Sequence, residues 1–251
     1  MSTRLVRPKR AVRILTSSWP VATKAALLRA ELQAGEDVEV PIGDGIALIA
    51  GPTDTVDYFT LYGSIIDQLF AADVKVAAVL DIGAHKGYYA LRSLAEGAYR
   101  VDSYEPASQN LDSLNRSAEG QTDWYVHPVA VGATAGSVEL HLSPGSWGHS
   151  VHVPVGGESV GTEQVEMISL SDALATITAS GKPVVAKINV EGAAGSMIMG
   201  TTPEDWSAVR LLWTDIEVND PVPIDDLLAH LQSCGLERTK VENHRHLFAR
   251  R

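Results

Sequence analysis

From residue 75 to the C-terminus, short apolar runs alternate with amphipathic segments, and this alternation constrains the fold more than any other feature. "KVAAVLDIG" (75–83) is an almost continuous apolar run, as expected of a strand covered by helices on both faces. "KGYYALRSLAEG" (86–97) has helical spacing and closes on Gly97. "YRVDSYEP" (99–106) and "ASQNLDSLNRSAEG" (107–120) repeat the strand–helix pair, and "TDWYVHPVAVG" (122–132) reads as a third strand. A β-like stretch (137–155) precedes the helix "SLSDALATITAS" with its Ser/Asp start. "PVVAKINVEG" (183–192) and "VRLLWTDIEV" (209–218) are the fourth and fifth strands. After the helix "IDDLLAHLQSCG", the terminal "LERTKVENHRHLFARR" predicts an antiparallel strand pair. The pattern implies an α/β doubly wound, mostly parallel sheet with its ligand at the carboxyl ends of the strands.

Residues 1–75 differ in character. "PVATKAALLRAELQA" (20–34) has helical spacing, and "VEVPIGDGIALIAG" (38–51) reads as a hairpin turning at Gly43-Asp44-Gly45. "LYGSIIDQLFAAD" (61–73) reads as a short amphipathic helix. This region is expected to pack on the main domain, residues 76–251, and to shape the acceptor pocket or a subunit contact of a homo-oligomer. Arg4, Arg7, Lys9, Arg10 and Arg13 make residues 1–13 basic, and such tails are more often disordered than binding arms. They leave 15 basic residues against 31 acidic ones in the remaining chain, whose overall charge is −11. A body so acidic repels phosphate backbones, so no nucleic-acid partner is expected. No run approaches the roughly 18 apolar residues of a membrane span, and no apolar core follows the N-terminal charges as a secretory signal requires. The single Cys234 permits no internal disulfide. Together these features predict a soluble, cytoplasmic protein without a membrane partner.

The loop "DIGAHKG" joins the first strand of the main domain to its helix. Strand, glycine loop and helix present backbone N–H groups and a positive helix end to an anionic ligand group. A dinucleotide site usually carries G-x-G-x-x-G because a pyrophosphate must touch the backbone. Here the spacing is D-x-G-x-x-x-G, from Asp81 through Gly83 to Gly87, with Ala84 and His85 between the glycines. That suits a ligand without a pyrophosphate. S-adenosylmethionine is one, and Asp81 can answer its ammonium. Glu105, followed by Pro106, ends the second strand about 20 residues beyond the loop, where a carboxylate can accept from both ribose hydroxyls. The plainer alternative is that Asp81 and Glu105 are strand-end acids capping the following helices.

Taken in series, "VLDIGAHKGYYAL", "VDSYEPASQNLDSL", "VAVGATAGSVEL" and "VVAKINVEGAA" resemble the FkbM family of S-adenosylmethionine-dependent methyltransferases over about residues 76–218. The resemblance implies a class I methyltransferase (Rossmann-like) sheet of seven strands, the last antiparallel. It implies O-methylation of a small-molecule acceptor, often a sugar or a hydroxyl of a secondary metabolite. Carried over, Asp81, Gly83 and Gly87 contact the methionyl part, Glu105 holds the ribose, and Val129 and Ala130 lie near the adenine. Three positions depart from the family pattern. His85 stands where Asn is common, Asn189 replaces the acid of K-I-D-V-E-G, and Ala194 stands where an acid often follows. The missing carboxylates weaken any case for a metal or for an acid at position 189 acting as base.

Methyl transfer to a hydroxyl needs alignment and a proton acceptor. Two sources present themselves. The segment Ser146–His152 carries Trp147, His149 and His152, and either imidazole could take the proton if the segment folds over the pocket; otherwise it is a solvated hairpin. At the fourth strand's end, Asn189 can orient an acceptor while Glu191 can be a base, an acceptor of hydrogen bonds or a turn residue. Asp215 and Glu217 alternate on the fifth strand, and one is expected to face the cleft. Lys187 is expected to fix a neighbouring carboxylate. His244 and His246 read as an exposed strand face. Amine N-methylation, an NAD-type oxidoreductase and a non-catalytic cofactor-binding protein are the alternatives.

Overall fold

Five consecutive buried residues, Ala78–Ile82, form the strand at the centre of the structure, and their two faces feed two separate hydrophobic cores. The computed structural model describes residues 8–17, 19–32, 37–43, 46–51, 74–146, 148–151, 159–217 and 220–251. In chain order, helices α1 (Pro8–Thr16) and α2 (Val21–Leu32) precede a hairpin of β1 (Val38–Gly43) and β2 (Ile46–Ala50). There follow β3 (Ala78–Ile82), α3 (Tyr88–Ala95), β4 (Arg100–Tyr104), α4 (Ser108–Ala118), β5 (Trp124–His127), β6 (Ala130–Gly132), β7 (Gly136–Leu142) and β8 (Gly161–Ser169). The chain continues through α5 (Leu170–Thr178), β9 (Val184–Ile188), α6 (Ala194–Met199), β10 (Val209–Asp215), α7 (Ile224–Ser233), β11 (Leu236–Glu242) and β12 (Arg245–Arg250).

The main sheet has seven strands in the order β11-β12-β10-β9-β3-β4-β5. Pairs β10·β9, β9·β3, β3·β4 and β4·β5 are parallel, while β12 runs antiparallel to both its neighbours. This is the expected class I methyltransferase arrangement, with the strand order reversing beside β3. A ligand crevice belongs at that switch point.

One core unites Val79, Val101, Val185 and Trp213 of the sheet with Tyr88, Leu91 and Leu114 of α3 and α4. Ile14, Leu27, Val40 and Leu48 of the N-terminal region belong to the same cluster. The opposite core packs Leu80, Ile82, Ala186 and Leu212 against Leu174, Met197, Trp206 and Leu231. Ser169 caps α5, its hydroxyl accepting from Asp172 N at 3.0 Å, as the Ser/Asp start suggested.

Several sequence expectations change. Residues 8–13 are not a disordered tail but the first turns of α1, with Arg10 bridging to Glu31 at 3.1 Å; residues 1–7 lie outside the described residues. The expected third strand is broken at Pro128, which lacks a ladder N–H. Its second half, β6, leaves for a separate sheet ordered β6-β8-β7. Strand β8 was not anticipated, although Val165 and Met167 alternate with polar neighbours there. The helix expected over 61–73 lies outside the described residues. Among the described residues, no helix is long and apolar enough to cross a membrane.

Both loop glycines are demanded by the protein's own packing. Gly83 has φ +73°, and a Cβ there would sit 1.9 Å from the Asn189 carbonyl oxygen. Gly87 has φ +85°, and its Cβ would lie 2.5 Å from the Trp124 ring. Gly87→Ala should therefore lower the unfolding free energy by about 2 kcal/mol or more. The check is a lowered urea midpoint with an unchanged slope.

Candidate active site

At the carboxyl edge of β3, β4, β9 and β10 lies a cleft of about 340 Å³. Its electrostatics begin with a buried pair. Asp81 is 0% exposed, and Lys187, its register partner on β9, donates from Nζ to Asp81 Oδ1 at 2.9 Å and to Gly83 O at 2.7 Å. The lysine thus ties the β3 loop to β9, in the fixing role expected of it. Asp81 is turned toward Lys187 and is absent from the cleft lining. It neutralises the lysine where the sequence had suggested an ammonium contact. Its second oxygen, Oδ2, is buried with no hydrogen-bond partner among the described residues.

Glu105, at the end of β4, is buried in the cleft wall. Its Oε2 accepts from His85 N at 2.8 Å, and its Oε1 accepts from Ala107 N at 3.0 Å and Asn110 Nδ2 at 3.2 Å. Burial raises its pKa, and these three donors oppose the rise. A carboxylate offers about four acceptor positions, so one further donor can be taken. Glu105 therefore anchors the start of α4 and still faces the cleft.

His85 is explained by its backbone. It has φ +55°, a left-handed conformation in which Asn, Asp and His are enriched among non-glycine residues. Its ring Nε2 meets Ser146 Oγ at 3.1 Å, and burial depresses its pKa to about 3. The imidazole is neutral and latches the segment after β7 across the cleft. Ser146 O accepts from Asn110 Nδ2 at 3.0 Å, and Ser150 donates from Oγ to Glu191 O at 2.9 Å. The segment around Ser146 is thus a strap that lines the cleft, closed at its base like a hairpin by the antiparallel bridge between His141 and Ser150. His149 lines the cleft, but Ser143 N donates to its Nδ1 at 3.0 Å and its Nε2 contacts the Gln109 side-chain amide. With both nitrogens engaged, it anchors the strap in this arrangement. Trp147 and His152 lie outside the described residues.

Three carboxylates stand at the far end. The parallel register pairs Ile188 with Thr214, which brings the ends of β9 and β10, and so Glu191 and Glu217, side by side. Both line the cleft together with Asp215. Burial first, then the hydrogen bond and charge of Glu217, pushes Glu191 up to about 8; burial raises Asp215 to about 6. His244 Nε2 lies 3.4 Å from Asp215 Oδ2, held there because Ile216 N donates to His244 O at 2.8 Å. The structure thus moves His244 from an expected strand face to the cleft rim, while His246 is buried beside Phe248. No group of three or more His, Cys, Asp or Glu among the described residues is arranged to hold a metal ion.

Of the residues singled out by sequence, Gly83, His85, Glu105, Pro106, Val129, Ala130, His149, Asn189 and Glu191 meet in this cleft. Asp81, Ala84 and Gly87 lie behind its wall. Sequence reasoning missed Asn110, whose only signal was a polar residue in the first turn of a helix just after Glu105. It is 1% exposed, and its Oδ1 has no hydrogen-bond partner among the described residues. The lining carries surplus acceptors (Glu105, Glu191, Asp215 and Glu217) against Lys187 and Arg245, and Lys187 is already committed to Asp81. Such an acceptor set fits a ligand that brings hydroxyls, amines and positive charge, as S-adenosylmethionine does. It does not fit a pyrophosphate.

A family model described as the methyltransferase FkbM domain matches residues 81–237. No curated protein matches the sequence. Among solved structures, a Pyrococcus horikoshii protein provisionally described as an RNA methyltransferase is 11% identical, with 90% of this chain and 98% of that chain covered and a TM-score of 0.38. The ribosomal protein L11 methylase of Lactobacillus delbrueckii subsp. bulgaricus is 12% identical, with 77% and 78% covered and a TM-score of 0.39. The 23S rRNA methyltransferase ErmE is 15% identical, with 75% and 68% covered and a TM-score of 0.43.

The strap's attachment predicts a local effect. His85→Ala removes the ring contact and places alanine in a left-handed conformation, so amide exchange in Ser143–Ser146 and Gly148–Val151 should quicken about fivefold, the equivalent of about 1 kcal/mol. His85→Asn tolerates the backbone but lacks the ring's reach. It should quicken exchange in the strap with little loss of global stability.

Proposed function

The chain belongs to the FkbM family of S-adenosylmethionine-dependent methyltransferases, and from that premise we propose that it methylates a hydroxyl of a small-molecule acceptor, a sugar or secondary metabolite, by in-line transfer. The observation that carries this reading is the acceptor-rich lining of the cleft, with Glu105 at one end and Glu191, Asp215 and Glu217 at the other. That surplus of carboxylates also disfavours a nucleic-acid acceptor, whose phosphates it would repel. An amine acceptor is the second reading, favoured by the same acids, since they would hold its ammonium before transfer.

When bound, S-adenosylmethionine supplies an electrophilic methyl group on a sulfonium. Glu105 and Asn110 take the ribose end, with Pro106, Val129 and Ala130 walling the adenine side. Gly83, His85 and Asn189 frame the methionyl part, and Asp81, Ala84 and Gly87 support it from behind. Asn189, whose side chain is exposed at the cleft, orients the acceptor through its amide. Glu191 takes the acceptor's proton. His149 holds the strap that excludes water, and His152 belongs to the same proposal as an alternative base. The N-terminal region (1–75) supports the acceptor side of domain 76–251, in a soluble, cytoplasmic enzyme that tolerates self-association.

Calorimetric titration tests the reading. S-adenosylhomocysteine should bind in the micromolar range, about −8 kcal/mol, and NAD should not bind. Tight NAD binding would sink the proposal. Glu105→Ala frees the His85 and Ala107 N–H groups and removes the ribose acceptor. It should weaken S-adenosylhomocysteine by about 10- to 100-fold, the equivalent of roughly 1.4–2.7 kcal/mol.

A further inference from the structure

We propose that Glu191 and Glu217 share one proton across the cleft when no cofactor is bound, and that the pair releases it when the sulfonium of S-adenosylmethionine arrives. The cofactor's own charge then arms the base. The inference rests on the proposed function only in taking the Glu191 end of the cleft as the transfer end.

The geometry is that of a carboxylate dyad. Glu191 and Glu217 follow the neighbouring strands β9 and β10 by three and two residues and line one cleft, close enough that the hydrogen bonding and charge of Glu217 raise the pKa of Glu191. Two carboxylates in such contact cannot both ionise cheaply, so the pair keeps a proton near neutral pH. The charged groups around them are Asp215 on β10, Lys187 on β9, His244 in the turn between β11 and β12, and Arg245 at the start of β12. The strap adds two imidazoles: His85, held neutral by burial, and His149, whose pKa burial also lowers. Lys187 is occupied by Asp81 at 2.9 Å, and Asp215 and Glu217 both raise the cost of ionising Glu191. A cation entering this end removes that cost.

The proton inventory closes over a turnover. Binding expels one proton from the dyad to solvent and leaves Glu191 as a carboxylate. During attack the acceptor oxygen forms its bond to the methyl carbon, the carbon–sulfur bond breaks with its electron pair going to sulfur, and the acceptor's proton passes to Glu191. Sulfur is then neutral, and the dyad is again singly protonated. The base is therefore competent only while the methyl donor is in place, and the spent cofactor finds it already protonated.

The test uses the full chain and two ligands that differ by a methyl group and its charge. Titrations with S-adenosylmethionine and with S-adenosylhomocysteine near pH 7, each in phosphate and in Tris, give the protons released per ligand bound. S-adenosylmethionine should release between about half and one proton more than S-adenosylhomocysteine. The ratio of their affinities should rise with pH by up to about tenfold per unit and level off above about 8. Glu191→Gln and, separately, Glu217→Gln should abolish the difference in proton release and flatten the ratio. Retention of S-adenosylhomocysteine affinity within about threefold, well under 1 kcal/mol, shows the cleft intact in each variant. Equal proton release by the two ligands with the wild-type chain overturns the proposal, and so does an undiminished difference in both variants. Failure of both ligands to bind rejects instead the functional reading beneath it.

Discussion

The contact between Lys187 and Asp81 is the one on which the site depends. A lysine and an aspartate buried in the middle of a sheet are costly to desolvate, and breaking such a pair by removing one partner costs about 3–5 kcal/mol. The pair does more than neutralise itself, because Lys187 Nζ also holds the Gly83 carbonyl at 2.7 Å. That bond fixes where the β3 loop leaves the sheet. The Asn189 carbonyl then passes so near Gly83 that no side chain fits between them. From this point the loop can only rise toward Glu105, whose carboxylate receives the His85 N–H. Position, charge and backbone course at the switch point follow from one buried cation.

Much of this was legible in the sequence, because the signals were local. Strand β3, its glycine loop and the acid after β4 lie within about 25 residues, and a continuous apolar run followed by glycine punctuation is a strong pattern. Glu105, Pro106, Val129 and Ala130, all singled out by sequence, line the cleft. What escaped was long-range. Gly87 looked like a ligand-facing glycine, yet its constraint is the Trp124 ring, an aromatic 37 residues along the chain. Asp81 was expected to answer an ammonium, and its pairing with Lys187 arises from a register that exists only in the folded sheet. The departure of β6 from the main sheet turns on Pro128, and β8 was passed over because its alternation is short of large apolar residues. His149 carried the right chemistry for a base, but its surroundings give both nitrogens other work.

The residue that first looked irregular, His85, shows how one position can satisfy two demands. Its backbone must be left-handed to bring its N–H to Glu105, and its ring must be neutral to meet Ser146 without a charge penalty. Burial meets the second demand by suppressing protonation. Asparagine, which also tolerates a left-handed backbone, would meet the first demand alone. The strap over this cleft is therefore held by a contact that a shorter side chain at this position would not reach.

The N-terminal helices and hairpin share one core with α3 and α4, and β12 lies between β10 and β11 in the sheet. The family-matched stretch, residues 81–237, opens in the middle of β3 and stops two residues into β11. It leaves out a strand from the interior of the sheet and one wall of a hydrophobic core. In this chain the family-matched segment is thus shorter than the packed unit around it, and boundaries drawn on the match would cut through a sheet and a core.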